Sequence, residues 1–199
     1  MAGFLHRRDV VKTLLARRNA DTLVVAGLGS SAWDVTAAGN DDRNFCQIGA
    51  MGLTVPIGLG LAEAQHDKRI LVITGDGDML MSLGALATVA QVRPRNFAII
   101  VLDNECFGET GGQPTHTAGV ADLAAIARGA GIEDTGEIRE QGEIDALIAD
   151  VYDAPGPVFR TVKIAYETLE DFKPPLDGAY AKDRFRVALL GAKAAVGGA

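Results

Sequence analysis

Cysteine is scarce in this chain: its 199 residues hold two, Cys46 and Cys106, with no Cys-x-x-Cys and no Cys/His cluster. That pattern excludes a zinc ribbon, an iron–sulfur cluster and a disulfide-stapled scaffold, and reads as free thiols in a reducing cytoplasm. Basic runs are missing too. With 19 Lys and Arg against 26 Asp and Glu, the formal charge is −7 and the isoelectric point is about 4.9. The electrostatic footprint that a phosphate backbone demands is therefore absent, and no nucleic-acid partner is expected. No stretch supplies the roughly 18 uninterrupted apolar residues of a membrane span. The opening Met1-Ala-Gly-Phe-Leu-His-Arg-Arg-Asp carries charge where a secretory leader needs its apolar core, so neither export nor anchoring is expected. No internal repeat occurs, which removes solenoid architectures.

What is present is 48% hydrophobic and 23% charged. A chain of this length buries roughly 70% of its unfolded surface, enough for a self-sufficient core but without room for a second full domain. The expectation is one domain over 1–199, with its core at about 20–165 and a less regular tail over 166–199 whose last part, 188–199, frays or packs on a partner.

Val10, Val11, Leu14 and Leu15 share a helical face between about His6 and Asn19, and Thr22-Leu-Val-Val-Ala reads as a strand that stops at Gly27-Leu-Gly-Ser-Ser. Ala32 to Ala38 resumes as a helix, and Asn44-Phe-Cys-Gln-Ile is a further short strand. Pro56 suits the first turn of a helix reaching about Gln65, with Ile57, Leu61 and Ala64 toward the core. Ile70-Leu-Val-Ile-Thr and Phe97-Ala-Ile-Ile-Val-Leu do not alternate with polar residues, as central strands covered on both faces do not. Leu83, Leu86, Ala87 and Ala90 mark the helix between them, and Ile144, Leu147, Ile148 and Val151 mark another before a strand at Pro157-Val-Phe-Arg-Thr-Val. Strands alternating with helices predict an α/β fold of three layers, with a mainly parallel sheet and helices on both faces.

Ligands of such sheets bind beyond the carboxyl ends of the strands. Each of those positions here carries a glycine loop: Gly27-Leu-Gly-Ser-Ser, Gly49-Ala-Met-Gly, Gly75-Asp-Gly-Asp and Asp103-Asn-Glu-Cys-Phe-Gly. Glycine lets backbone N–H groups approach an anion, although any one of these loops alone also reads as an ordinary tight turn. Asp76 ends one strand and Asn104, 28 positions on, ends the next. A carboxylate beside an amide oxygen suits a hard cation such as Mg2+ that also takes phosphate oxygens.

Gly75-Asp76-Gly77 with Asn104, preceded by Ile48-Gly-Ala-Met-Gly-Leu-Thr-Val-Pro-Ile-Gly, resembles the cofactor-binding domain of thiamine diphosphate enzymes over about residues 20–165. Within that family, Gly108-Glu-Thr-Gly-Gly-Gln-Pro-Thr-His-Thr looks most like the phosphonopyruvate and sulfopyruvate decarboxylases. The resemblance implies thiamine diphosphate and Mg2+ as cofactors. It makes Asp76, Asn104 and the backbone carbonyl of Cys106 the metal ligands. Backbone groups of Gly77, Asp78 and Gly108 then face the diphosphate beside Gly75, with Gly29, Ser30 and Ser31 contributing from the first loop. The Gly49 carbonyl accepts from the aminopyrimidine, and Met51, otherwise readable as a core methionine, supports the cofactor's bent shape.

The family also uses a glutamate from a pyrimidine-binding domain, for which this chain has no length left. The resemblance therefore implies a separate pyrimidine-binding subunit, a hetro-oligomer, and for this chain the part of the β, cofactor-binding subunit of a 2-oxo acid decarboxylase. Gln113 and His116 are the candidates to meet an anionic substrate on an edge with few cations, His116 being equally readable as an exposed loop residue. An acetolactate-synthase-type carboligase and a non-catalytic regulatory subunit remain as alternatives.

Overall fold

The computed structural model describes residues 5–195; residues 1–4, where the leader was sought, and 196–199 of the expected tail lie outside the described residues. Five connections carry the chain through a six-stranded parallel sheet built of β1 (Thr22–Ala26), β2 (Asn44–Cys46), β3 (Arg69–Gly75), β4 (Phe97–Asp103), β7 (Asp134–Ile138) and β8 (Val158–Lys163). The strand order is β2-β1-β3-β4-β8-β7, and a separate two-stranded hairpin joins β5 (Cys106–Phe107) to β6 (Gln113–Pro114).

The absence of alternation in the central strands has the expected cause: every residue of β4 is buried, and successive residues serve opposite cores. Leu71, Ile73, Ala98 and Ile100 face one core, completed by α1 (Arg7–Ala16), α2 (Ser30–Ala38) and α7 (Ile144–Tyr152). Ile70, Val72, Phe97 and Ile99 face the other, covered by α3 (Thr54–Ala64), α4 (Asp76–Leu80), α5 (Leu83–Val92) and α6 (Leu123–Gly129). The packed core extends outside 20–165 at both ends. Val10, Val11 and Leu14 of α1 join the first core, and Phe185 of α8 (Gly178–Leu190) joins the second, its ring 5.6 Å from that of Phe45.

Several expectations are corrected. Helix α3 turns Leu61 partly inward against the second core but leaves Ile57, 36% exposed, and Ala64 outside; its buried face is Val55, Gly58, Leu59 and Ala62. An apolar residue on almost every side leaves the pattern without a preferred face, and the small residues decide it by allowing close approach. Ala87 of α5 is likewise exposed, and Val89 takes its place in the core. Gly75-Asp-Gly-Asp is not a loop but the cap and first turn of α4. Helix α6 and strand β7 had no sequence signal: α6 depends on Asp122, whose carboxylate accepts from Ala125 N at 2.9 Å, and the Asp-Thr-Gly-Glu-Ile of β7 is a weak strand former held at the edge by pairing with β8. The region after Tyr166 is more regular than expected, because Asp177 caps α8 by accepting from Ala179 N and Tyr180 N; α9 (Ala192–Ala195) follows. Among the described residues no helix is long and apolar enough to cross a membrane.

A Cβ added at Gly58 would stand 2.3 Å from Val72 Cγ2 and 3.0 Å from the Phe97 ring, so α3 rests directly on β3 and β4. Gly58→Val is expected to cost about 1–3 kcal/mol by overpacking. Thermal denaturation should register this as a loss of roughly 2–4 °C per kcal/mol for a chain of this size; an unchanged midpoint would show that the interface can relax.

Candidate functional site

Strands β1 and β3 are neighbours, with Ala26 opposite Ile73, yet the chain leaves them toward opposite faces. After β1 it enters α2, whose Ala32 and Val35 belong to one core; after β3 it enters α4, whose Met79 belongs to the other. The two connections part and open a crevice at the carboxyl edge of the sheet. Gly29 makes the turn into α2 at φ +71°, a conformation that favours glycine, and delivers Ser30 and Ser31 to the first turn, where backbone N–H groups have no helical partner.

Gly75 ends β3 and Asp76 begins α4. The Asp76 carboxylate is 2% exposed, and its Oδ2 accepts hydrogen bonds from the hydroxyls of Thr115 and, at 3.3 Å, Thr117. Burial pushes the Asp76 carboxyl up to about 6, against the opposing Thr115 hydrogen bond and with the neighbouring Asp103 charge adding to the rise. Thr117 shares its one hydroxyl proton between this contact and Asp103 Oδ1, the nearer acceptor at 2.7 Å, and Lys163 Nζ lies 2.8 Å from both Asp103 and Glu105. The ends of β3, β4 and β8 are thus tied by one polar network, and the hairpin that brings Thr115 back is what closes it.

After β4 the chain turns at once. Asn104 Oδ1 accepts from Cys106 N at 3.0 Å, and Glu105 takes the left-handed φ of +62°. The turn lays Phe107 over the first turn of α4: a Cβ on Gly77 would lie 2.6 Å from Phe107 Cε1 and 3.6 Å from Met51 Cε. Only glycine allows that approach.

The result is a groove open to solvent, with a cavity volume of about 160 Å3. Ser30, Ser31, Met51, Gly75, Asp76, Gly77, Asp78, Asn104, Cys106 and Gly108 all line it. Of the remaining predicted cofactor residues, Gly29 caps the adjoining helix, and Gly49 lies in the exposed turn that carries Met51. Gln113 and His116 are exposed and are not among the lining residues; Gln113 instead bonds Thr110, its Nε2 donating to the Thr110 carbonyl at 2.7 Å.

Sequence reasoning missed three residues here. Arg7 lines the groove from the start of α1, only 3% exposed, donating to Asp34 Oδ2 at 2.6 Å and to the Ser30 carbonyl at 3.2 Å. The edge expected to be poor in cations therefore holds a guanidinium, supplied by a surface-type helix that carried no motif. Thr115 and Thr117 stood in a quoted motif but had no role assigned, although a hydroxyl on every second residue after a proline is the kind of pattern that serves a nearby carboxylate. Glu109, ambiguous in sequence between a site role and an exposed loop residue, lines the groove and accepts from Ser30 Oγ at 3.2 Å. No cluster of three or more His, Cys, Asp or Glu side chains occurs among the described residues, so any metal here must use amide or backbone oxygens as well.

Residues 33–162 match the family model described as thiamine pyrophosphate enzyme, C-terminal TPP binding domain. The sulfopyruvate decarboxylase subunit beta of Methanocaldococcus jannaschii is 37% identical over 127 residues, 64% of this chain and 67% of the relative. That of Methanothermobacter thermautotrophicus is 38% identical over 144 residues, 72% of this chain and 74% of the relative. A phosphonopyruvate decarboxylase of Streptomyces viridochromogenes is 33% identical over 182 residues, which span 90% of this chain but 45% of that protein. Among solved structures, one assigned as a thiamin diphosphate-dependent enzyme from Mycobacterium smegmatis superposes with a TM-score of 0.71 at 22% identity, over 83% of this chain and 33% of its own, and so shares the fold.

The two thiols of the chain differ sharply. Burial pushes both thiols up, Cys46 to about 11, but Cys46 is only 8% exposed whereas Cys106 is half-buried at the groove. Because the thiolate is the reacting species, a disulfide reagent at pH 8 should label one thiol, Cys106, in the folded chain and both after denaturation; native labelling of Cys46 would contradict this packing.

Proposed function

The chain belongs to the thiamine pyrophosphate enzymes, and from that premise we propose that it is the cofactor-binding subunit of a Mg2+-dependent 2-oxo acid decarboxylase of the sulfopyruvate or phosphonopyruvate type. The observation that carries this reading is the convergence of loops from β1, β3 and β4, together with Met51, on one groove. When bound, thiamine diphosphate supplies the electron sink for loss of CO2 from a 2-oxo acid.

Asp76, Asn104 and the Cys106 carbonyl hold the Mg2+ in this proposal. A hard cation offers Asp76 the counter-charge that its burial lacks, and the side-chain hydrogen bonds it receives from Thr115 and Thr117 fall on Oδ2, leaving Oδ1 as a ligand. The Asn104 amide oxygen has a second lone pair beyond the one facing Cys106 N. Backbone groups of Gly77, Asp78 and Gly108, with the hydroxyls of Ser30 and Ser31, receive the diphosphate; the Gly49 carbonyl and Met51 orient and support the ring. Arg7 also lines this wall, its guanidinium engaged by Asp34 and the Ser30 carbonyl.

The second half of the site comes from a separate pyrimidine-binding subunit. Two observations support that partner. Relatives of similar length are named as beta subunits, and Ile48, Met51, Leu53, Ile57 and Met81 are exposed apolar side chains on the turn beside the groove, on α3 and at the end of α4. Gln113 and His116 then meet the substrate only from the shared, open side of the groove. Two unpaired thiols suit a reducing, cytoplasmic setting.

The test is an assay of the chain co-purified with the product of a neighbouring reading frame, supplied with sulfopyruvate or phosphonopyruvate, thiamine diphosphate and Mg2+. Release of CO2 with the corresponding aldehyde is expected, and Asp76→Ala should lower the rate by at least the roughly 10–100-fold that loss of a mere outer-shell partner costs. A product with a new C–C bond would make the chain a carboligase subunit, and undiminished activity of Asp76→Ala would make it non-catalytic.

A further inference from the structure

Two residues beyond Asp76, a second carboxylate is buried that the proposed cofactor chemistry does not use. Asp78 is 7% exposed, and its oxygens are taken up by the protein. Oδ1 accepts from Gly52 N at 2.6 Å, and Oδ2 accepts from Thr54 Oγ1 at 2.6 Å and from the Thr74 hydroxyl. These donors belong to three segments: the turn over 49–52, the first turn of α3, and the end of β3. None is a cation.

The turn so held is a strained one. Ala50 sits at φ +63° and Gly52 at φ +86°, and a non-glycine residue in the left-handed region persists only where its surroundings hold it. A second buried side chain grips the same turn from the other end. With its amide oriented to satisfy both ends, Gln47 donates to the Gly49 carbonyl at 3.1 Å and the Ala50 carbonyl at 3.2 Å, and accepts from Thr54 N at 3.0 Å. Residues 48–51 are exposed and belong to neither core, so this anchoring serves the placement of the turn and not the burial of its side chains. At the tip of the turn, the Met51 methyl lies 3.6 Å from where a Cβ on Gly77 would stand.

We infer that Asp78 is a positioning residue, locking the turn that carries Gly49 and Met51 to the Gly75–Gly77 loop so that the seat for the cofactor ring and the seat for its diphosphate form one rigid unit. This rests on the cofactor assignment above. The carboxylate acts through Gly52 and Thr54, its oxygens being occupied by donors of the protein. A three-donor acceptor at this point fixes a distance between two loops that leave different strands, as outer-shell partners do for directly contacting groups.

Two measurements on Asp78→Ala and Asp78→Asn test it. Hydrogen exchange at the Gly52 amide of the full chain reads the anchor directly, and should be about tenfold faster in Asp78→Ala. In the complex with the partner subunit, affinity for Mg2+ with thiamine diphosphate should fall about tenfold, the scale of outer-shell effects, while affinity for Mg2+ with inorganic pyrophosphate stays within about twofold. Asp78→Asn, which keeps an acceptor oxygen, should recover most of both. An unchanged Gly52 exchange rate, or equal losses for the two ligands, would overturn the inference. Should Asp78→Ala not fold, Thr54→Val, which keeps the carboxylate and removes one donor, must show the same split at smaller amplitude; equal losses there overturn it as well. A wild-type complex that binds pyrophosphate but not thiamine diphosphate would instead overturn the cofactor assignment, with the Gly52 exchange still reporting on the anchor.

Discussion

The parallel pairing of β1 with β3 is the constraint on which the rest depends. Two adjacent strands hand their chains to helices on opposite faces, so no backbone crosses the gap between their carboxyl ends. The gap is therefore structural, made by topology before any side chain is chosen. What the sequence adds is the chemistry of its rim: glycines that let backbone approach, hydroxyls at the start of α2, and acids at the start of α4. The two apolar cores on either side of the sheet hold that rim in place.

The rim is also where the molecule accepts unfavourable burial. Asp76 and Asp78 lie within a single helical turn, both nearly inaccessible, and neither has a Lys or Arg among its hydrogen-bond partners. Isolated buried carboxylates destabilise a fold unless donors satisfy them, and here threonines do so: Thr115 and Thr117 for the first, Thr54 and Thr74 for the second. Hydroxyl donors satisfy the oxygens without neutralising the charge, which leaves Asp76 responsive to a cation. By contrast, Asp34, fully buried away from the rim, is paired with the guanidiniums of Arg7 at 2.6 Å and Arg8 at 3.0 Å. The different partners of these acids separate a charge kept for a ligand from a charge used to join α1 to α2.

The central strands were legible because a long apolar run without alternation has one reading in an α/β chain, and the glycine loops were legible because they end such runs. Asp76 and Asn104 followed from their position at the strand ends, whereas Gly77, Asp78, Cys106 and Gly108 were reached through the family resemblance. What could not be read arose from tertiary context. The buried face of α3 is selected by a contact between Gly58 and Val72 that no helical pattern encodes; β7 is a strand because β8 offers it an edge; and Arg7 reaches the groove only because α1 packs against α2. The orientation of Asp78 belongs to the same class. Its neighbour Asp76 has the same side chain and the same helix, and only the placement of Gly52, Thr54 and Thr74 turns one carboxylate inward.

The most direct measurement is a crystal structure of the chain with its partner subunit, grown with Mg2+ and thiamine diphosphate. The diphosphate is predicted to lie in the crevice between Ser30–Ser31 and Gly75–Gly77, with the cation on Asp76, Asn104 and the Cys106 carbonyl and Met51 against the ring. Density for the cofactor elsewhere, such as the polar pocket bounded by Arg139 and Lys163, with the β1–β3 crevice empty, would contradict the account at its root.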